Sequence, residues 1–106
     1  MNGFHSSETD QLFRMLLSLD SVEECYAVFE DLCTVKELKD MSLRLEVANL
    51  LNKGKTYQEI SAATTISSAT ISRVNRCLNY GSGGYRLALN HMEETERKRE
   101  EGPEEK

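Results

Sequence analysis

One segment, residues 34–54, constrains the fold more than any other part of the chain. Thr34 followed three residues later by Glu37 is a capping box, and Gly54 is a typical helix stop. The apolar residues between them fall on two stripes at helical spacing: Val35, Leu38, Met41, Leu45, Ala48 and Leu51, and Leu43, Val47 and Leu50. A helix that is apolar on most of its circumference has to be buried on more than one side.

The rest of the chain offers few elements to cover such a helix. A chain of 106 residues is one domain, and small domains bury a lower share of their surface than large ones. Either a second copy of the chain covers the helix, or the monomer's own helices wrap around it. We favour the second copy because it requires the fewest additional elements, so we expect an all-α homodimer.

Helical periodicity extends along almost the whole chain, whose only proline is at position 103. Two further amphipathic helices are predicted at about 8–19 and 21–31. After the helix at 34–54 and the segment at 56–79, discussed below, glycines at 81–84 should act as a stop and hinge before a last helix. Its apolar residues are Tyr85, Leu87, Ala88, Leu89 and Met92.

The two ends of the chain are predicted to differ from this helical domain. Residues 1–7 should be a flexible N-terminus, and residues 8–92 should form the domain. Residues 93–106 are nearly all charged and should form a mostly disordered tail, with local pairs such as Glu93 with Arg97.

Charge is distributed unevenly along the chain. The net charge is -5, but residues 1–52 carry a net -6, residues 53–92 a net +4 and residues 93–106 a net -3. A locally positive segment can attract phosphates while the acidic remainder discourages indiscriminate binding.

Several classes of protein find no support in these residues. No apolar stretch approaches the roughly 20 residues that span a bilayer, and the N-terminus lacks the pattern of a signal peptide, so we expect a cytoplasmic protein without a membrane partner. Cys25, Cys33 and Cys77 form no metal-ligand spacing and are interpreted as small buried hydrophobes. His5 and His91 are solitary, so neither catalysis nor a cofactor is expected.

The most specific functional signal lies at residues 56–79. Thr56 with Glu59 forms a second capping box and begins a helix of about two turns. Ser67 can cap the next helix. Three apolar residues of that helix recur at helical spacing and would anchor it on the core: Ile71, Val74 and Leu78. Two short helices joined by a tight turn, the second with a small and polar outer face, are typical of a DNA-reading helix-turn-helix.

On this interpretation the outer face of the second helix reads DNA. Small side chains in its first turns would allow close approach to base edges: Ser68, Ala69 and Ser72. Polar and basic side chains around them would contact phosphates: Lys53, Lys55, Thr56, Gln58, Thr70, Asn75, Arg76 and Asn79.

These residues resemble the trp repressor family, and most nearly its TrpR-like YerC/YecD group of small bacterial proteins. Three stretches are similar to the repressor's central helix, its glycine stop and its recognition helix: residues 32–38, 44–54 and 69–73. The similarity to the YerC/YecD group extends through three more: residues 10–13, 23–26 and 77–81. It covers most of the chain except the tail.

The resemblance implies an intertwined homodimer whose paired recognition helices read a palindromic operator in double-stranded DNA. The chain would then be a sequence-specific transcriptional regulator, expected to act as a repressor. The competing hypothesis is a protein-interaction module whose helix-turn-helix has lost DNA affinity. The acidic remainder of the chain and a missing glycine in the turn, where Thr64 and Thr65 stand, favour that hypothesis modestly.

The resemblance also bears on an effector. Two arginines that hold the corepressor in trp repressor correspond to Arg44 and Arg73, whereas Cys77 replaces a serine that helps to hold the ligand's ammonium group. Val74 stands where the repressor has a glycine beside the indole, and its side chain could fill that space. We therefore expect no response to tryptophan. Arg44, Arg73 and Cys77 remain compatible with another small-molecule effector.

Overall fold

Six α-helices make up the chain in the computed structural model, which describes residue 3 and residues 5–100. Within those residues no strand forms, so the predicted all-α fold is confirmed. The helices are α1 (Ser7–Leu17), α2 (Val22–Leu32), α3 (Val35–Asn52), α4 (Tyr57–Thr64), α5 (Ser68–Tyr80) and α6 (Gly84–Glu100). Contacts divide the chain into two units, a first unit of Met1–Leu38 and a second unit of Lys39–Lys106.

The first unit contains α1 and α2, each started by a serine. The Ser6 hydroxyl accepts from the Thr9 amide at 3.0 Å, and the Ser21 hydroxyl accepts from the Glu24 amide at 3.1 Å. Because Ser6 satisfies a free amide, α1 already begins at Ser7, inside the stretch expected to be a flexible N-terminus. Both helices therefore form close to the predicted bounds.

Neither α1 nor α2 contains a buried residue. Large apolar side chains of these helices are exposed: Phe13, Leu17, Val22, Tyr26 and Leu32. Three further apolar side chains line a shallow groove between the two helices together with Leu32: Leu12, Met15 and Val28. The amphipathic faces that periodicity predicts are thus present, and their apolar side chains are at most half-buried.

Helix α3 has the predicted start and stop. The Thr34 hydroxyl accepts from the Glu37 amide at 3.0 Å, and the Glu37 carboxylate accepts from the Thr34 amide at 2.8 Å. At the other end Gly54 has φ +86°, and the amides of Gly54 and Lys55 donate to the carbonyls of Leu51 and Leu50 at 3.0 and 3.1 Å. This pair of bonds is a Schellman motif, which satisfies carbonyls at the end of the helix.

Burial along α3 is partial. Val47 and Ala48 are fully buried, whereas Val35 is 85% exposed and Met41 is 40% exposed. The helices of one chain therefore cover only part of the apolar surface that the sequence predicts for this segment.

The core lies in the second unit. Its buried members come from all four helices of that unit: Val47, Ala48, Ile60, Ile71, Val74, Leu78 and Leu89. Partly buried side chains surround them: Leu45, Leu50, Leu51, Ile66, Tyr85 and Met92. Each fully buried aliphatic side chain contributes about 1.5–3 kcal/mol relative to an exposed one. This core holds α4 and α5 in place.

Helix α6 is longer than the sequence predicts. It continues to Glu100, past residue 92, and its charged end has local partners. Arg97 pairs with Glu94 at 3.0 Å rather than with Glu93, and the Thr95 hydroxyl donates to the His91 carbonyl at 3.0 Å. Side-chain pairs three or four residues apart support a helix even when it has no apolar face. Residues 101–106 of the predicted tail lie outside the described residues.

The cysteines are not the buried hydrophobes that the sequence predicts. All three are free thiols, Cys25 and Cys77 are exposed, and Cys33 is half-buried. Cys25 lies on α2, which buries nothing within the chain, and Cys77 lies on an outer face of α5. No helix of the described part is long and apolar enough to cross a membrane.

Candidate nucleic-acid interface

The second capping box starts α4 as predicted. The Thr56 hydroxyl accepts from the Glu59 amide at 3.1 Å, and the Glu59 carboxylate accepts from the Thr56 amide at 2.8 Å. The hydrogen bond from the Thr56 amide lowers the pKa of Glu59 below its ordinary value, and the nearby charge of Lys55 acts in the same direction. The reciprocal pair fixes the point at which the chain enters the helix-turn-helix.

The turn between α4 and α5 takes the conformation that glycine usually supplies. Thr65 has φ 59° and ψ 22°, in the left-handed region, and is the one described non-glycine residue with a positive φ. The neighbouring Thr64 is buried, and its hydroxyl donates to the Ile60 carbonyl at 2.7 Å and accepts from the Ile66 amide at 3.2 Å. Thr65 also donates to the Thr64 carbonyl. These bonds over-determine the turn and hold Thr65 in a costly conformation.

Helix α5 is anchored as the sequence predicts. Ile71, Val74 and Leu78 are all buried. The Ser67 hydroxyl accepts from the Thr70 amide at 3.3 Å, so Ser67 is the cap of the helix. With one face held in the core, the opposite face is left to solvent.

All three side chains predicted to read bases lie on that open face. Ser68, Ala69 and Ser72 are exposed in the first turns of α5. Arg73 and Arg76 are exposed further along the same helix. A helix N-terminus with small side chains and free amides favours close approach to a polyanion.

The side chains predicted to contact phosphates fall into two groups. Three are exposed around the helix-turn-helix in addition to Arg76: Lys53, Lys55 and Gln58. Four are already engaged within the chain: Thr56 and Thr70 in the two caps, and Asn75 and Asn79 in a hydrogen-bonded pair. The first group is therefore available to contact the phosphate backbone of DNA. The side chains of the second group already form hydrogen bonds within the chain.

One residue at the site carries no sequence signal. The guanidinium of Arg86, on α6, donates to the Asn79 side-chain oxygen at 3.0 Å and to the Asn52 side-chain oxygen at 2.9 Å. The Asn79 amide group in turn donates to the Asn75 carbonyl and side-chain oxygens, both at 3.0 Å. Arg86 and Asn52 are 34 residues apart, so spacing does not reveal the contact.

The residues that correspond to a corepressor pocket are all on the surface. Arg44 is exposed on α3, and Arg73 and Cys77, four residues apart, are exposed on α5. Val74 lies between them in sequence but is only 2% exposed and packs in the core. Within the described residues no group of three His, Cys, Asp or Glu side chains is placed to hold a metal ion.

Fold and site together define a small all-helical protein with a helix-turn-helix. Comparison with known proteins places it further. The chain matches the Trp repressor protein family over residues 7–93. It is 54% identical over 96 residues to the uncharacterized protein YerC of Bacillus subtilis (strain 168), an alignment that covers 91% of this chain and 92% of YerC.

Two solved structures are similar over most of their length. A TrpR-like protein from Eubacterium eligens ATCC 27750 superposes with a TM-score of 0.82 at 43% identity, covering 87% of this chain and 95% of that one. A candidate Trp repressor from Staphylococcus aureus superposes with a TM-score of 0.80 at 43% identity, covering 84% and 89%. The chain belongs to the trp repressor family, in its TrpR-like YerC/YecD group.

Proposed function

We propose that this protein is a sequence-specific DNA-binding transcriptional regulator, a repressor that reads a palindromic operator as a homodimer. The observation that carries the proposal is α5, whose inner face is anchored by Ile71, Val74 and Leu78 and whose outer face is small, polar and basic. Residues 53–92 also hold the positive charge of an otherwise acidic chain.

Homodimer formation is supported by the first unit and α3. Helices α1 and α2 bury no residue within the chain, and α3 leaves Val35 and Met41 exposed. Apolar surface of this extent is stabilised when a second copy covers it. A two-fold axis would then set the two recognition helices about 34 Å apart, one turn of DNA, against two half-sites of the operator.

A binding titration tests the proposal. Mixed genomic DNA fragments should bind with an affinity that falls steeply as salt rises. Arg76→Ala should weaken binding to all sequences and reduce the salt slope by about 1, because it removes a phosphate contact. Ser72→Ala should instead change sequence preference at an unchanged slope. Arg97→Ala, which removes the same charge from α6 near the chain's end, is the control and should leave the slope at the wild-type value.

The competing function, a protein-interaction module without DNA affinity, is weakened by the turn. Two features of the sequence favour an interaction module: the acidic remainder of the chain and a helix-turn-helix without the usual glycine. Thr65 nevertheless takes the left-handed conformation, so the missing glycine does not by itself alter the path of the chain into α5. An absence of DNA binding at low salt would favour the interaction module.

We further propose that the protein does not respond to tryptophan. Val74 stands where the repressor has a glycine beside the indole, and its side chain is buried in the core. Cys77 stands in place of a serine, and a thiol is a weaker hydrogen-bond partner than a hydroxyl. An aromatic ring that cannot be buried loses up to a few kcal/mol of binding free energy. Isothermal titration calorimetry should detect no binding of tryptophan, and a micromolar dissociation constant would contradict this proposal. Arg44 and Arg73 leave a different effector open.

A further inference from the structure

A polar network connects three helices of the second unit at the end of the recognition helix. Arg86 on α6 reaches Asn52, the last residue of α3, and Asn79 in the last turn of α5. Asn52 also donates to the Glu93 carboxylate at 3.4 Å, which returns the network to α6. One guanidinium thus joins α3, α5 and α6, which are separate in sequence.

The network lies beside the short connection between α5 and α6. Only residues 81–83 separate the two helices, and two of them are glycines. Gly83 has φ +96°, and a Cβ on Gly81 would clash with the Cys77 carbonyl oxygen, so both positions favour glycine. A link of this composition allows many angles between its helices. The Arg86 contacts span the link and tie the last turn of α5 to α6 and to the end of α3.

We propose that Arg86 is a positioning residue that fixes the orientation of α5 and so determines the sequence specificity of DNA binding without touching DNA. A guanidinium suits this role because its rigid planar fork can meet two oxygens at once. Asn79 then acts mainly within the network: its oxygen accepts from Arg86 and its amide group donates to Asn75. The inference rests on the proposed DNA-binding function.

Variants can separate geometry from charge. Arg86→Lys keeps the positive charge, so non-specific DNA affinity and the salt slope should match wild type. Lysine has one nitrogen where the guanidinium uses two, so it does not reproduce the two-nitrogen bridge to Asn52 and Asn79. The ratio of specific to non-specific affinity should fall by roughly threefold to tenfold, the size of effect expected for networked contacts. Arg97→Lys is the matched control, since Arg97 pairs only with Glu94 on its own helix in the described structure, and it should preserve the ratio.

Asn52 supplies a second test, because it is not among the side chains predicted to contact DNA. Asn52→Ala changes no charge and lies on α3, yet it should lower the same specificity ratio. If both residues act through one network, the double variant Arg86→Lys with Asn52→Ala should lose no more than the larger single effect. Additive losses would overturn the proposal.

Amide hydrogen exchange of the full chain without DNA provides an independent readout. Arg86→Lys should raise exchange roughly threefold to tenfold in the last two turns of α5, residues 75–80, while Arg97→Lys leaves it unchanged. Exchange and specificity both at wild-type values would overturn the inference. If wild type binds no DNA, the proposed function fails, and the exchange result alone then supports or overturns the positioning role.

Discussion

The two units of the chain contain similar helices but bury them differently. In the first unit, α1 and α2 are amphipathic and no residue of either helix is buried. In the second unit, the same kind of pattern yields seven buried apolar side chains drawn from four helices. Periodicity thus predicts which residues need cover, but it does not tell whether the same chain supplies it.

The two units therefore differ in what they need for stability. The second unit has its own core, and the buried contacts that anchor α5 are present within one chain. The first unit has apolar side chains that a second copy would cover under the proposed dimer.

The largest effect is expected in the core of the second unit. Ile71 is fully buried, so Ile71→Ala should lower the free energy of unfolding by about 2–5 kcal/mol, and Ile71→Val by about 0.5–1.5 kcal/mol. Denaturation by urea at a fixed protein concentration measures both. A loss below about 1 kcal/mol for Ile71→Ala would mean that α5 is not held by this core.

A charge on the first unit should affect assembly. Leu17 is 86% exposed in the single chain, where a lysine would change stability by at most about 0.5 kcal/mol. If a second copy covers it, Leu17→Lys should raise the dimer dissociation constant by about tenfold or more, which corresponds to about 1.4 kcal/mol. Sedimentation equilibrium measures this. Asn90→Lys, with the same charge change on the exposed side of α6, should dimerise like wild type. Equal dissociation constants for the two variants would mean that a second copy does not cover Leu17.

The strained turn should show a smaller effect of opposite sign. A left-handed threonine costs of order 1–3 kcal/mol, and glycine removes that cost at an entropic penalty of about 0.5–1 kcal/mol. Thr65→Gly should therefore stabilise the protein by about 0.5–1 kcal/mol. Thr95→Gly, in the interior of α6, should destabilise it by about as much. Thermal unfolding distinguishes the two, and a lower melting temperature for Thr65→Gly would mean that the turn is unstrained.

The smallest effect concerns the cap of α4. Because the folded-state pKa of Glu59 lies below its ordinary value, its contribution to stability is complete above the unfolded pKa and is lost as the pH falls through the folded pKa. NMR titration of the Glu59 carboxyl should give a midpoint below that of an ordinary glutamate. Glu59→Gln, which retains an acceptor but does not titrate, should lose the corresponding part of the acid sensitivity. A titration midpoint equal to that of an ordinary glutamate would mean that the Glu59 carboxylate does not stabilise the cap of α4 by its charge.

Local chemistry made much of the fold predictable. The capping boxes Thr34 with Glu37 and Thr56 with Glu59 depend on residues three apart, and both form as expected. Gly54 ends α3 because a left-handed residue there completes two backbone hydrogen bonds. The anchors of α5 follow from helical spacing. Each of these features is determined by neighbours along the chain.

What the sequence did not reveal depends on distant contacts or on competing costs. Arg86 meets Asn52 across 34 residues, and no periodic signal marks such a pair. Thr65 takes the left-handed conformation because the buried Thr64 and its hydrogen bonds outweigh the intrinsic preference of a β-branched residue. The prediction that the cysteines are buried is wrong because burial of Cys25 and Cys77 depends on how much of α2 and α5 one chain covers, which spacing does not show.

Selection of bound fragments from random double-stranded DNA shows whether the protein reads a palindromic operator as a dimer. A dimer that presents α5 from each copy predicts enrichment of a palindromic site whose half-site centres lie about 10 base pairs apart. Ser72→Ala should shift the enriched half-site sequence and keep that spacing. Recovery of no enriched sequence, together with no binding at low salt, would contradict the proposal that the protein is a DNA-binding regulator.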